Sequence, residues 1–296
     1  MEDLITIKGL SKTYRVGTEK VKALDNINLT IGKGQICCIL GTSGSGKSTL
    51  LNQLAGLEKP SAGSVYIGKT NISRLSEDQL AGFRQKYIGF VFQSYNLIPS
   101  MTATENVAMP LLFRGVSRDK RDLEALQMLK IVGLGNRARH KPSEMSGGQQ
   151  QRVGIARAFV AKPRIVFADE PTGNLDTRTT LEVMRLLIKM SHDNGITFVL
   201  VTHDNELARY ADRIITIRDG VVVSDETNLH PAYLDVIGVG EAETELPCDT
   251  ADVAPPPSEL DEDALSTPQA SPDSGECKLT DNSDADTNQI KEPTNE

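Results

Sequence analysis

The sequence predicts an α/β protein whose parallel sheet is wrapped by helices. Three observations carry this. Short apolar runs alternate with helical patterns up to about Ser224, the rhythm of α/β folds. Two of those runs, Ile165-Val166-Phe167-Ala168 and Ile196-Thr197-Phe198-Val199-Leu200-Val201, are almost continuously apolar, as strands covered on both faces are. A glycine-rich loop, residues 41–46, sits between an apolar run and a helix former.

In chain order, Leu4-Ile5-Thr6-Ile7 and Ile27-Asn28-Leu29-Thr30-Ile31 alternate apolar with polar and read as antiparallel edge strands. Gln35 to Leu40 is an apolar run of strand length, and Thr49 to Ala55 favours helix. Residues 94–145 hold helical patterns such as Asp122 to Leu129 and few strand runs, so a helical insertion over about 94–160 is expected on the core. Leu181, Met184, Leu187 and Ile188 mark one face of a helix, with Gly195 beyond its end; this stripe is core packing. Ile214 to Ile217, Asp219-Gly220 and Val221 to Val223 read as a closing hairpin.

Beyond about Leu229 the composition changes. Residues 231–296 hold 8 of the 14 prolines and 17 Asp and Glu against 2 Lys, a balance of −15 within a whole-chain charge of −8. Such a segment buries too little apolar surface to offset its ordering entropy. The expected organisation is therefore a body over 1–229 and a disordered acidic, proline-rich C-terminal tail over 230–296. Asp284-x-Asp286-x-Asn288 opens like an EF-hand loop, but Gln289 and Asn295 replace the Gly and Glu it requires. The four cysteines form neither a disulfide framework nor a metal spacing. No apolar run approaches the ~18 residues of a membrane span. The start lacks the charged and apolar regions of a signal peptide, which favours a cytosolic chain. The body is mildly basic without a dense basic run, so an anionic ligand is expected and nucleic acid is not.

Gly41-Thr42-Ser43-Gly44-Ser45-Gly46-Lys47-Ser48 fits G-x-x-x-x-G-K-[ST], the loop of P-loop NTPases. Its glycines let several N–H groups converge on one anion, Lys47 adds charge at the β/γ-phosphates, and the Ser48 hydroxyl suits Mg²⁺. Thr49 follows in the helix, whose positive end adds to the pull. In Arg164 to Glu170 an apolar strand ends in two carboxylates. Asp169 suits Mg²⁺ through its water shell, and Glu170 is placed to orient or deprotonate a water. Met145-Ser146-Gly147-Gly148-Gln149 opens a helix with bare N–H groups, a second anion-binding device. One triphosphate needs only one such loop. Two suggest that each ATP lies between two chains.

With these motifs in place, the chain resembles the ATP-binding-cassette ATPases over about residues 3–224. Ser146-Gly147-Gly148-Gln149 matches the family signature, 23 residues before Asp169. The resemblance implies further roles. Tyr14 matches the aromatic that stacks on adenine, and Gln93 the glutamine that touches Mg²⁺ and water and hinges the insertion. Asp176 lies in the loop that crosses the dimer interface, and His203 matches the histidine that contacts the γ-phosphate. Met145 stands where the family usually has Leu, an exchange of similar volume.

The implied function is an ATP-hydrolysing subunit, with ATP and Mg²⁺, that powers a membrane transporter as a head-to-tail homodimer or paired with a near-copy. It would sit at the cytoplasmic face of the membrane and dock an integral permease near Gln93 to Met101. The wording around Phe92 to Leu97, Glu105 to Val107 and Thr172 to Asp176 is similar to the lipoprotein-release, macrolide-export and cell-division branch. The alternatives are a cell-division-type regulatory ATPase without transport and a soluble cassette acting on DNA or ribosomes. Against the last stand a single cassette and the lack of sustained heptads.

Overall fold

The computed structural model describes residues 2–232; the acidic tail expected over 230–296 lies almost wholly outside them. Strands β1 (Asp3–Val16) and β2 (Glu19–Gly32) form a long antiparallel ribbon, extended by β4 (Ala62–Ile67) and β5 (Thr70–Asn71) into a sheet of order β2-β1-β4-β5. A second sheet has order β10-β9-β3-β8-β7-β6, built from β3 (Ile36–Leu40), β6 (Ile88–Val91), β7 (Ile165–Asp169), β8 (Thr197–Thr202), β9 (Arg213–Arg218) and β10 (Val221–Thr227). Its strands are parallel except β10, which returns on β9 through Asp219-Gly220. Both turn residues have positive φ, 48° and 77°, as a tight hairpin requires.

The alternation legible in the sequence covers only part of the ribbon. The strands continue through Lys12 to Val16 and Glu19 to Lys22, mostly solvent-facing residues that leave no apolar period. The buried strands follow the pattern closely, with every residue of β8 buried.

Strand β3 separates two cores. Ile36 and Cys38 pack with the helical side, Cys37 and Ile39 with the antiparallel sheet and helix α1 (Lys47–Leu54). This is the period-2 alternation of a strand expressed in a run where both faces are apolar. It explains the adjacent cysteines as two small core residues in different cores. Burial pushes the Cys38 thiol up to about 12 and raises Cys37 as well, so neither ionises near neutrality.

Helix α2 (Glu77–Tyr87) precedes β6. Residues 92–164 carry α3 (Ala103–Phe113), α4 (Arg118–Ile131) and α5 (Gly147–Phe159), with no strand among them. Helix α6 (Thr177–Asp193) buries Val183, Met184, Leu187 and Ile188, and Gly195 beyond it has φ 60°. A short α7 (Asn205–Ala208) follows β8. Among the described residues no helix is long and apolar enough to cross a membrane.

Candidate functional site

The sheet places the chemistry. Strands β3, β6, β7 and β8 run parallel, so their carboxyl ends share one edge, where ligands of open α/β sheets bind. The register pairs Leu40 with Thr202, Asp169 with Val201 and Val91 with Ala168. Gly41, His203, Glu170 and Gln93 each follow one of these ends.

Residues 41–46 curl off β3 into α1. Gly46 caps the helix at φ 102°, and a Cβ there would lie 2.5 Å from the Ala23 carbonyl oxygen, so only glycine fits. Within the loop, the Thr42 carbonyl accepts from Ser45 N–H at 3.2 Å and from Lys47 Nζ at 2.8 Å. Lys47 is only 6% exposed and forms no ion pair among the described residues. Ser45 is buried, and its hydroxyl has no hydrogen-bond partner. A buried ammonium facing a carbonyl and an unpartnered hydroxyl are costly, and both suit an incoming anion. Ser43 and Gly44 complete the curl, Gly44 at φ 80°.

Ser48 Oγ donates to Asp169 Oδ1 at 3.2 Å across 121 residues. Burial raises the Asp169 carboxyl above its ordinary range, and the Glu170 charge adds to this; Ser48 and Lys47 oppose it. A hydroxyl and a partly buried carboxylate held together are an oxygen donor set of the kind hard divalent cations take. The site therefore fits Mg²⁺.

Glu170 has φ 42° and donates its N–H to the Val201 carbonyl at 2.9 Å. This left-handed turn aims its carboxylate out of the strand. Glu170 Oε1 lies 2.9 Å from His203 Nδ1. An ionised carboxylate only accepts, so Nδ1 carries the proton in this contact. That leaves Nε2 of the largely exposed ring for another partner. Gln93 lies beside Gly173: a Cβ there would be 2.7 Å from Gln93 Nε2, and Asn174 Nδ2 donates to the Gln93 carbonyl at 3.2 Å. The turn after Glu170 thus seats the glutamine.

Tyr14 belongs to a separate cluster at the far side of α1. Its hydroxyl donates to Glu58 Oε2 at 2.7 Å. Lys12 Nζ lies 3.1 Å from the same oxygen and 5.2 Å above the Tyr14 ring, and Asn52 Nδ2 donates to Glu58 Oε1 at 3.3 Å. Thr49 reaches the Tyr14 hydroxyl from α1. Burial and then Glu58 raise the phenol. Burial alone would raise the Glu58 carboxyl, but the bonds from Tyr14 and Lys12 outweigh it and hold it low. Sequence pattern gave no hint of Glu58.

The third group is the start of α5. Ser146 caps it, its Oγ accepting from Gln149 N–H at 3.4 Å while Gln149 Oε1 accepts from Ser146 N–H at 3.1 Å. Gly147 lies under the Tyr95 hydroxyl and Gly148 under the Thr179 methyl. Asp176 caps α6, accepting from Thr179 N–H at 3.0 Å and Thr179 Oγ1 at 2.6 Å. Those bonds hold its carboxyl below the usual range. The hydrogen bonds of Ser146 and Gln149 stay within their own turn, whereas Lys47 and Ser48 bond to Thr42 and Asp169. The two turns expected to bind anions are thus built separately, each with an open side, at the exposed Thr42 to Gly44 and at the exposed Ser146.

Residues 24–173 match the ABC transporter family. The chain is 47% identical over 225 residues to the lipoprotein-releasing system ATP-binding protein LolD of Geobacter metallireducens, covering 76% of this chain and 100% of that one. It is 48% identical over 227 residues to the uncharacterized ABC transporter ATP-binding protein MJ0796 of Methanocaldococcus jannaschii, covering 75% of this chain and 97% of that one. It is 48% identical over 222 residues to the macrolide export ATP-binding/permease protein MacB of Chlorobaculum tepidum, covering 75% of this chain but spanning only 34% of that relative. Among solved structures, a dimeric post-hydrolysis state of the cassette MJ0796 bound to ADP and Pi matches with TM-score 0.71 and 46% identity, over 76% of this chain and 98% of that one. Fold, motif order and kinship agree, and the chain belongs to the ABC transporter ATP-binding family.

Proposed function

We propose that this chain is an ATP-binding and ATP-hydrolysing subunit that drives a separate membrane permease. The observation that carries this is the loop at the end of β3: a buried Lys47 without a carboxylate partner, an unpartnered Ser45 hydroxyl, and Ser48 bonded to Asp169. Gly41 to Thr49 would hold the triphosphate tail, and the Tyr14 ring the adenine face. Ser48, Asp169 and Gln93 would hold Mg²⁺, directly or through water; that ion neutralises phosphate charge.

In the hydrolytic step Glu170 accepts a proton from water as the water oxygen bonds to the γ-phosphorus. The bond from that phosphorus to the bridging oxygen breaks, leaving ADP and phosphate. His203, when both ring nitrogens carry protons, would donate from Nδ1 to Glu170 and from Nε2 to a γ-phosphate oxygen. The open side of the Ser146–Gln149 turn supports a dimer in which each ATP is closed by Ser146 to Gln149 and Asp176 of a second copy. Hydrolysis then releases the pair, and that open–closed cycle performs the work.

The body acting in this way is 1–229, with the helical insertion at about 94–160 and the acidic tail beyond. The names of the LolD and MacB relatives favour a lipoprotein- or macrolide-class export system at the cytoplasmic face of a membrane, with the permease seated near Gln93 to Met101. Leu97 in that stretch packs on the core, so docking would fall to its more exposed neighbours.

Glu170→Gln tests the core of this reading. Removing a general base lowers turnover by roughly 10²–10⁴, while MgATP should drive the variant into stable dimers seen by light scattering. Near-normal hydrolysis would refute Glu170 as the base, and a strictly monomeric variant under saturating MgATP would refute the shared site.

A further inference from the structure

The turn after Gln93 is held in a conformation its residues do not favour. Tyr95 and Asn96 have φ 59° and 48°, and Asn96 N–H closes back on the Ser94 carbonyl at 2.6 Å. Two consecutive non-glycine residues in left-handed backbone cost on the order of 1 kcal/mol or more each, and Tyr tolerates it less well than Asn. Something must over-determine the turn, and Arg157 in the last turn of α5 does so. Its Nη1 donates to the Asn96 carbonyl at 2.6 Å and its Nη2 to the Tyr95 carbonyl at 2.8 Å. Among the described residues these are the only hydrogen bonds of its side chain, and it forms no ion pair there. Burial pushes its pKa down, so a charged group has been set in a poor solvent to serve two main-chain oxygens. Surface tethering alone gives no reason for that arrangement.

The other end of the loop is pinned as well. Asn106, fully buried in α3, accepts from Ile98 N–H at 2.7 Å and shares its amide protons among the carbonyls of Ile98, Met101 and Thr102. The Tyr95 side chain then runs along α5. Its carbonyl lies against Gly154, and its hydroxyl stands over Gly147, where a Cβ would approach it to 2.8 Å. Seven residues, two helical turns, separate those glycines on one face.

We propose that Arg157 is a positioning residue that locks the Tyr95–Asn96 turn onto α5, so that the loop 93–101 and the Ser146–Gln149 turn form one mechanical unit. Displacement of the loop would then be carried into the start of α5 through the Tyr95 ring. This rests on the reading above that Ser146 to Gln149 completes the site of a second copy.

The test uses the full chain with Cys248 and Cys277 replaced by serine. Spin labels at Ser100 and Ser143 report the loop and the approach to α5. The parent should give one narrow distance and Arg157→Gln a broadened one. A narrow distance retained in the variant overturns the proposal whether or not dimers form. In the Glu170→Gln background, Arg157→Gln and Tyr95→Leu should each weaken MgATP-driven dimerisation about tenfold. Binding of a fluorescent ATP analogue to the monomer should stay within about twofold, because the coupling is to the far device and not to the Lys47 loop. Tyr95→Leu keeps the Arg157 bonds and an apolar side chain, so its effect separates the strut from folding. Unchanged dimerisation in both variants, or an equal loss of monomer nucleotide affinity, overturns the proposal. A Glu170→Gln parent that never dimerises refutes the shared-site reading instead, and the label distances still decide the latch.

Discussion

Replacing Gly148 by alanine should damage two properties of this protein by different routes, and a second substitution should separate them. The new Cβ would stand 2.5 Å from the Thr179 methyl carbon, well inside the 3.5–4.0 Å optimum for carbon contacts. Thr179 cannot swing aside freely, because its hydroxyl donates at 2.6 Å to Asp176, the residue that caps α6. Overpacking of this kind costs about 1–3 kcal/mol. Alanine recovers up to ~1 kcal/mol over glycine in a helix, leaving a net loss of up to about 2 kcal/mol. For a body of this size that lowers Tm by up to roughly 8 °C. Thr179→Ser removes the methyl and keeps the hydroxyl. In that background Gly148→Ala should cost nothing or stabilise slightly, giving a coupling energy equal to the relieved clash, about 1–3 kcal/mol, in a double-mutant cycle followed by urea unfolding. Hydrolysis should stay impaired in the double variant, because the added methyl still sits on the turn proposed to close the neighbour's nucleotide. A coupling below about 0.5 kcal/mol would refute the close approach of α5 and α6. Restored turnover would refute the functional reason for a glycine here.

Two further outcomes concern the ligand side. Burial raises Asp169 above its unfolded value, so its contribution to folding is fully present below that unfolded value, about 3.9, and is lost as pH rises through the folded one. Asp169→Asn should therefore melt above the parent near pH 8 without nucleotide, the gap should close towards pH 4, and saturating MgATP should reverse the order; a pH-independent gap would sink this account. Tyr14→Ala should weaken MgATP binding by about threefold to tenfold, the worth of an aromatic stack. Tyr14→Phe, which keeps the ring and gives up only the hydroxyl's bonds to Glu58 and Thr49, should stay within about twofold by calorimetry, and a Phe variant as weak as the Ala variant would refute stacking.

The parts of the fold set by local chemistry were legible in the sequence. Ile165 to Ala168 and Ile196 to Val201 are buried throughout, and the Asp219-Gly220 hairpin closes as its turn chemistry requires. Ser146 and Gln149, noted for anion binding, also form a reciprocal helix cap, which an S-x-x-Q spacing announces. The outer half of the β1–β2 ribbon left no trace, because solvent-facing residues carry no apolar period. Glu58, Arg157 and Thr179 were equally invisible. Each acts through a contact 31 to 62 residues away in sequence or on a neighbouring helix, and no local pattern encodes such a partner. The site loops were found because a tight anion cradle demands glycine, lysine and serine at fixed spacing; what steadies those loops could be seen only once the chain was folded.

Strand β3 sends alternate side chains to opposite sides, and one residue past its end begin the glycines proposed to face the phosphates. That makes its five residues, with β8 and β7 beside them, a party wall between two rooms. Enlarging Cys37 would press on the antiparallel cap, and enlarging Cys38 on the helical layer, yet either push would be delivered to Gly41. Narrow thiol-bearing residues keep the wall thin, so crowding on one side is not passed to the place where the ligand would rest.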